Sequence, residues 1–393
     1  MNKPTCLILV SDIGITAPGI VYATLLQELS KFFKIKLISP VIKRGTLHPT
    51  ISHLPSVKPG FERVRLTMLL FKLFGRNILD DLWVYKQKQI INESDIINSD
   101  LIITFLSNEH YKSLILGHFL AKKYSKKWIV YSVDAIPAPL NWTKDKCYRN
   151  RTITFINKYL KDCDAFFSSN PQMLKYQIDV LGINKEYVGV VYTPIRCDKV
   201  IKNSDNEINN VTILYTGSIY GPRKVESVLE GFRLLLNDIP NAKLIFVGCR
   251  NVKCFKQYID LINRNSIEIH GYTNKLDEFY KKASILLDIN AYFENDVFLS
   301  SKIINYLPII KPIVSVTGLN SPTRLTFTKD NTIIHCSHDK EAIYESFKRA
   351  ITIINDNGNS RYIYLEKFSK RQVIVDFVDI VNKLIITNDY NSK

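Results

Sequence analysis

The stretch Ile213 to Leu236, ILYTGSIYGPRKVESVLEGFRLLL, decides the fold. A short β-branched and aromatic run meets a glycine turn. A segment follows with Val225, Val228, Leu229, Phe232, Leu235 and Leu236 spaced three and four residues apart. That spacing lays one apolar stripe along a helix, so the stretch reads as strand, tight turn and a helix packed back on a sheet. Pro222 is suited to open the helix, which would place Arg223 and Lys224 in its first turn. Cations there oppose the helix dipole, which favours anions. A bound diphosphate would make the placement favourable. The bland alternative, both side chains bent into water, costs only about 0.3 to 1 kcal/mol.

Working outward, the same alternation of short apolar runs and helical segments fills the chain, the pattern of parallel sheets with crossover helices. Strands are expected at 6–10, 35–38, 101–105, 128–133, 164–168 and 188–192, and again at 211–216, 243–247, 266–269, 284–288, 312–316 and 332–336. Six in each half argue for two doubly wound domains facing a central cleft, with ligands at the carboxyl ends of the strands. At 393 residues the chain exceeds what one core usually supports. The expected division is 1–198, a polar linker at 199–210 (KVIKNSDNEINN), a second domain at 211–370, and a C-terminal helix at 371–393 packing back on the first domain.

Charge adds a constraint on partners. The net charge is +16, and residues 1–195 carry +11 of it, from 26 Lys and Arg against 15 Asp and Glu. A basic half suits phosphorylated substrates, an anionic membrane surface or nucleic acid. Nucleic acid is disfavoured because the basic residues are not interleaved with an aromatic recognition pattern. Phe61 to Leu79, FERVRLTMLLFKLFGRNIL, places Val64, Met68, Phe71 and Leu79 beside Arg63, Arg65, Lys72 and Arg76. It reads as a basic amphipathic helix, either facing the core or lying on a membrane. There is no 18-residue apolar run and no signal-peptide pattern in MNKPTCLILVSD, so a cytoplasmic protein, peripheral at most, is expected. The scattered cysteines read as reduced and structural.

A second basic helix start lies in DVFLSSKIINYLPIIKPIVSV, Asp296 to Val316. Ser300 or Ser301 can cap a short helix whose first turn holds Lys302, and Lys311-Pro312 leads into a strand. Two such starts in one domain suit two sides of one diphosphate. In the first half, SDIGITAPGIVYATLLQEL holds Gly14 and Gly19 in the loop opening a helix, where glycine permits close backbone approach or simply a tight turn. Asp134 ends the strand Trp128 to Val133; a carboxylate there can accept hydrogen bonds from a ligand or stabilise developing positive charge, or merely cap a turn. His110, after LIITF, is a lesser candidate, and His118, in a helical run, is read as structural.

The stretch SSKIINYLPIIKPIVSV resembles the S-K-hydrophobic-x-E-Y-L-x-x-G-K-P-I signature of family 4 glycosyltransferases, notably those building bacterial surface polysaccharides. GSIYGPRK resembles the same family's glycine turn and diphosphate helix. The resemblance covers residues 211 to 350 and, more weakly, 5 to 195. It implies a retaining, metal-independent enzyme of the GT-B fold, with no cofactor beyond a nucleotide-sugar donor. Arg223 and Lys302 then neutralise the donor diphosphate over a turn of Gly217 and Ser218, with Lys224 and Ser301 beside them. Gly271 and Tyr272 border the base. Asp134 faces the transferred sugar, and Gly14, Gly19 and His110 lie on the acceptor side. Asn305 stands where the family has the glutamate that binds ribose, and Val297 where it has the paired acid eight residues earlier. Pro308 and Ile310 replace the small residue and glycine before Lys-Pro.

The expected function is therefore sugar transfer from a nucleotide-diphosphate sugar to a glycan or lipid-linked saccharide, cations standing in for a metal, since no Asp-x-Asp motif is convincing. A sugar-nucleotide epimerase of the same fold would need clustered proton-transfer groups at the sugar. A non-catalytic nucleotide-sugar-binding protein is the third reading, kept open by Asn305 and Val297.

Overall fold

The computed structural model describes residues 3–58, 64–107, 111–196, 200–201, 211–249, 252–273, 275–355 and 359–391. It divides into two compact units, Met1–Pro194 with Lys370–Lys393, and Ile195–Ser369. The boundary falls a few residues before the one expected at 198. Of the linker, only 200 and 201 are described, and there the Ile201 N–H donates to Pro308 O at 2.9 Å while Ile201 O accepts from the Ile310 N–H at 2.8 Å.

The first unit is built on β1 Thr5–Leu9, β2 Lys34–Ile38, β3 Ser52–His53, β4 Leu101–Leu106, β5 Lys127–Ser132, β6 Ala165–Ser168 and β7 Tyr187–Val190. All pair in parallel in the order β3-β2-β1-β4-β5-β6-β7. The two-residue β3 was not foreseen, because so short a pairing leaves no period to read. Both faces of the sheet are covered, which is why β4, β5 and β6 are near-continuous apolar runs, buried throughout except at Lys127. One face carries Val373, Ile374, Phe377, Val378, Val381 and Leu384 from the C-terminal segment, packed with Leu25, Phe105 and Phe167.

The second unit holds β8 Thr212–Thr216, β9 Lys243–Val247, β10 Ile267–His270, β11 Ile285–Ile289, β12 Ile313–Val316 and β13 Ile333–Cys336, ordered β10-β9-β8-β11-β12-β13. The helix Glu226–Asp238 buries Val228, Leu229, Phe232 and Leu235 in this core, as its spacing dictates. It begins at Glu226, however, and not at Pro222. Gly221 adopts a φ of 60°, which carries the chain through a turn before the helix can start. Arg223 and Lys224 therefore precede the helix, and its first turn carries Glu226, which complements the dipole. In each unit the strand order reverses at one place, between β1 and β4 and between β8 and β11, where doubly wound sheets open a crevice for ligands.

The expected single helix at Phe61 to Leu79 is two helices, Val64–Phe74 and Ile78–Ile90. Gly75 breaks it with a φ of 62°, and the Asn77 side chain caps the second helix by accepting from the Asp80 N–H. Residues 59–63, with Arg63, lie outside the described residues.

Candidate functional site

Four of the residues singled out in the second unit converge at the reversal between β8 and β11. Gly217 follows β8 with a φ of 106°, and its backbone N–H donates to Val247 O. A Cβ there would lie 2.9 Å from Lys302 Cε, so the missing side chain is the space through which Lys302 passes. Ser218 Oγ donates to Gly248 O at 3.1 Å, and Gly248, itself at a φ of 84°, abuts the Gly217 backbone. The Gly248 N–H reaches Gly271 O at 3.2 Å, which ties the loop after β10 to the same floor. Tyr272, next in that loop, is 78% exposed.

Lys302 stands at this floor, and Arg223 lies within electrostatic reach of it. Burial, and then the neighbouring Arg223 guanidinium, push the Lys302 ammonium down to about 7, against the smaller opposing effect of the Asp288 carboxylate. Lys302 Nζ lies 5.3 Å from the Tyr215 ring centre. Arg223 stacks on Tyr220 at 4.3 Å, and its Nε is buried without a hydrogen-bond partner. Among the described residues neither cation has a carboxylate within ion-pair distance. Like charges held together in a half-buried crevice are costly unless an anion joins them. Lys224 takes another course, its ammonium 3.8 Å over the Tyr292 ring.

Asn305 is engaged within the unit: its Nδ2 donates to Ser301 O at 2.6 Å and its Oδ1 accepts from the Arg196 N–H at 3.2 Å. The amide, unlike the family's glutamate, can do both at once. Lys311, of the Lys-Pro pair, is structural. Its ammonium turns inward to donate to Lys281 O and Ala283 O, at the end of the helix Leu276–Lys282, and burial lowers its pKa to about 8.

In the first unit, the candidates sit at the ends of β1 and β5. A Cβ on Gly19 would lie 1.9 Å from Asp12 Oδ1, and one on Gly14 would meet Thr46 Cγ2 at 2.7 Å, so packing within the chain already requires both glycines. The buried Asp12 accepts from the Thr16 N–H and hydroxyl, which organises the start of the helix Ala17–Leu29. Asp134 is held through its carbonyl by Ser132 Oγ and Gln177 Nε2. Its carboxylate adds to burial in keeping the Tyr22 and Tyr131 phenols protonated. His118 is structural: Nε2 pairs with Asp162 at 2.7 Å while the ring packs edge-on against Trp128 and Tyr159. His110 lies outside the described residues.

The sequence reading missed Asp288, a charge in the apolar strand ILLDI, fully buried beneath Lys302's segment. That interruption was the available signal. It also missed Gly248, which only the fold brings to Gly217.

No protein-family model matches the chain, and no curated protein matches it by sequence. Solved structures do match it along its whole length. HepE (Alr3699) of Anabaena, in complex with UDP and glucose, superposes with a TM-score of 0.66 at 12% identity, over 96% of this chain and 99% of its own. The lipopolysaccharide outer core galactosyltransferase WaaB gives 0.64 at 15% identity over 98% and 99%. A glycosyltransferase from Rickettsia africae gives 0.64 at 14% over 98% and 99%. Together with the two parallel-sheet units, this likeness shows the GT-B fold.

Proposed function

We propose that the protein is a metal-independent, retaining glycosyltransferase of the family 4 type, moving a sugar from a nucleotide-diphosphate sugar to a glycan or lipid-linked saccharide of a surface polysaccharide. The observation that carries this reading is Lys302 passing over the Gly217 turn at the strand reversal with Arg223 within electrostatic reach of it, neither cation paired with a carboxylate among the described residues. Two fixed cations neutralise the charge that builds on a leaving diphosphate, the part a metal ion plays elsewhere. The same-fold structures holding UDP and glucose or UDP-glucose support the choice of donor. In the first unit, Asp134 would act at the transferred sugar.

Calorimetric titration of UDP, GDP, ADP and dTDP, with EDTA present, tests the donor site. At least one should bind wild type, and Arg223→Ala or Lys302→Ala should weaken it about 10- to 150-fold, the loss of one charge-assisted hydrogen bond. Equal affinity in the three proteins sinks the assignment, and binding abolished by EDTA sinks the metal-free mechanism.

Contact with an anionic membrane is favoured by a separate observation. Leu69, Leu73 and Phe74 on the helix Val64–Phe74 are 52 to 61% exposed, although Phe71 of the same helix packs inward against Tyr111, Tyr148 and Phe155.

A further inference from the structure

Asp288 lies on β11, fully buried, with no cation within ion-pair distance among the described residues. Its Oδ1 accepts from Ser300 Oγ at 2.7 Å and its Oδ2 from Asn290 Nδ2 at 2.9 Å. Ser300 is the N-cap residue of the helix Ser301–Tyr306, yet its side chain makes no bond to the helix, because the hydroxyl is turned down to the carboxylate. The Ser300 N–H is held as well, by Thr323 Oγ1 at 3.2 Å. The residue that starts the Lys302-bearing helix is thus pinned to the sheet rather than spent on capping.

A carboxylate buried among neutral donors is costly, and a forgone cap adds to that cost. An apolar residue would suit the strand better. What the charge faces explains its presence. It acts on Lys302 from below, opposing Arg223, which acts on Lys302 from the loop after β8. It also faces Tyr215 on β8, Tyr306 on the same helix as Lys302, and His335 on β13, all of them neutral around pH 7. Among the described groups acting on Lys302, Asp288 alone carries negative charge.

We infer that Asp288 is a positioning residue of the anion site: it anchors Ser300 at the start of the Lys302 helix and, from beneath Lys302, offsets the positive charge that Arg223 imposes on it. The inference rests on the donor-site reading for its purpose, but its geometry and electrostatics are testable without any donor. Removing the negative charge should leave Lys302 less able to hold its proton. Removing only the Ser300 hydroxyl should loosen the helix start and leave the charge in place.

The test follows Lys302 Cε by NMR in lysine-labelled, unliganded protein, with Lys302→Gln for assignment. Asp288→Asn should bring the Lys302 midpoint down by about one pH unit, the size of one nearby charge in a half-buried site. Ser300→Ala should leave the midpoint where it is while weakening UDP several-fold. A midpoint unchanged in Asp288→Asn overturns the inference. Should that variant not fold, the Asp288 carboxyl carbon of wild type serves as a reporter of Lys302: an inflection at the Lys302 midpoint, lost in Lys302→Gln, supports the coupling, and its absence overturns it. Failure of UDP to bind wild type, with the coupling present, counts against the donor reading alone.

Discussion

Among the described lysines, Lys302 is the one whose state the surroundings change most. In the folded, unliganded protein it titrates near 7 instead of 10.5. Between those values the unfolded chain holds a proton that the fold does not, so raising pH through that window stabilises the unliganded fold. An anion reverses the preference by favouring the ammonium. Donor binding at pH 8 should therefore take up about one proton, read as a difference in binding heat between two buffers of unlike ionisation enthalpy. Lys302→Gln should remove the difference, and equal heats in wild type would rule Lys302 out as the coupled cation. Gly217 belongs to the same problem. Its φ of 106° suits no L side chain, and a Cβ would press on Lys302 Cε. Gly217→Ala should cost roughly 1 to 3 kcal/mol in urea unfolding and weaken UDP as well. A neutral substitution would mean that the turn and Lys302 both move aside freely.

At the scale of elements, the pair of helices Val64–Phe74 and Ile78–Ile90 shows how one amphipathic pattern divides between core and surface. Phe71 goes inward, and Leu69, Leu73, Phe74, Leu82 and Tyr85 stay exposed. Their basic neighbours are partly committed: Lys72 pairs with Asp145, and Arg76 with Asp81 at 3.0 Å. Membrane contact would then depend on exposed apolar side chains more than on these cations. Anionic vesicles should co-sediment wild type, and Leu73→Ser with Phe74→Ser should release it. No sedimentation of wild type at low salt ends the membrane reading. The loop Pro308–Ile310 makes a second point. Bulky residues stand there in place of the small ones of the related signature, and the structure gives them a partner, with Ile201 bridging to Ile309, and Ile309 and Ile310 buried.

Across the whole molecule, the C-terminal segment belongs to the unit that begins the chain. In the helix Val375–Asn391, Phe377 stacks edge-on against Phe167 of β6 at 4.8 Å, and Val381 is fully buried. Phe377→Ala should cost about 3 to 5 kcal/mol, the range for deleting a buried aromatic ring, measured by urea unfolding of the full chain. Truncation after Ser369 should expose the apolar face of this unit and send the protein into aggregates. A soluble truncated chain with an unchanged first transition would show that the helix contributes little to the core.

The sequence by itself determined the parallel-sheet class, the two halves, nearly every strand, and the neighbourhood of Gly217, Arg223 and Lys302. Strands buried on both faces must be apolar throughout, helices on a sheet must carry a stripe, and a turn at positive φ must hold glycine. Each of these constraints is local, so each is written in the order of residues. What only the tertiary structure decided is which groups share space. It showed the loops after β8, β9 and β10 meeting at one floor, Asn305 spent on Arg196 and Ser301, and Lys311 turned into the protein. It also drew Ser300 down onto a buried Asp288 twelve residues earlier. Side-chain partnership depends on distances set by packing of the whole sheet, and no periodicity along the chain encodes it.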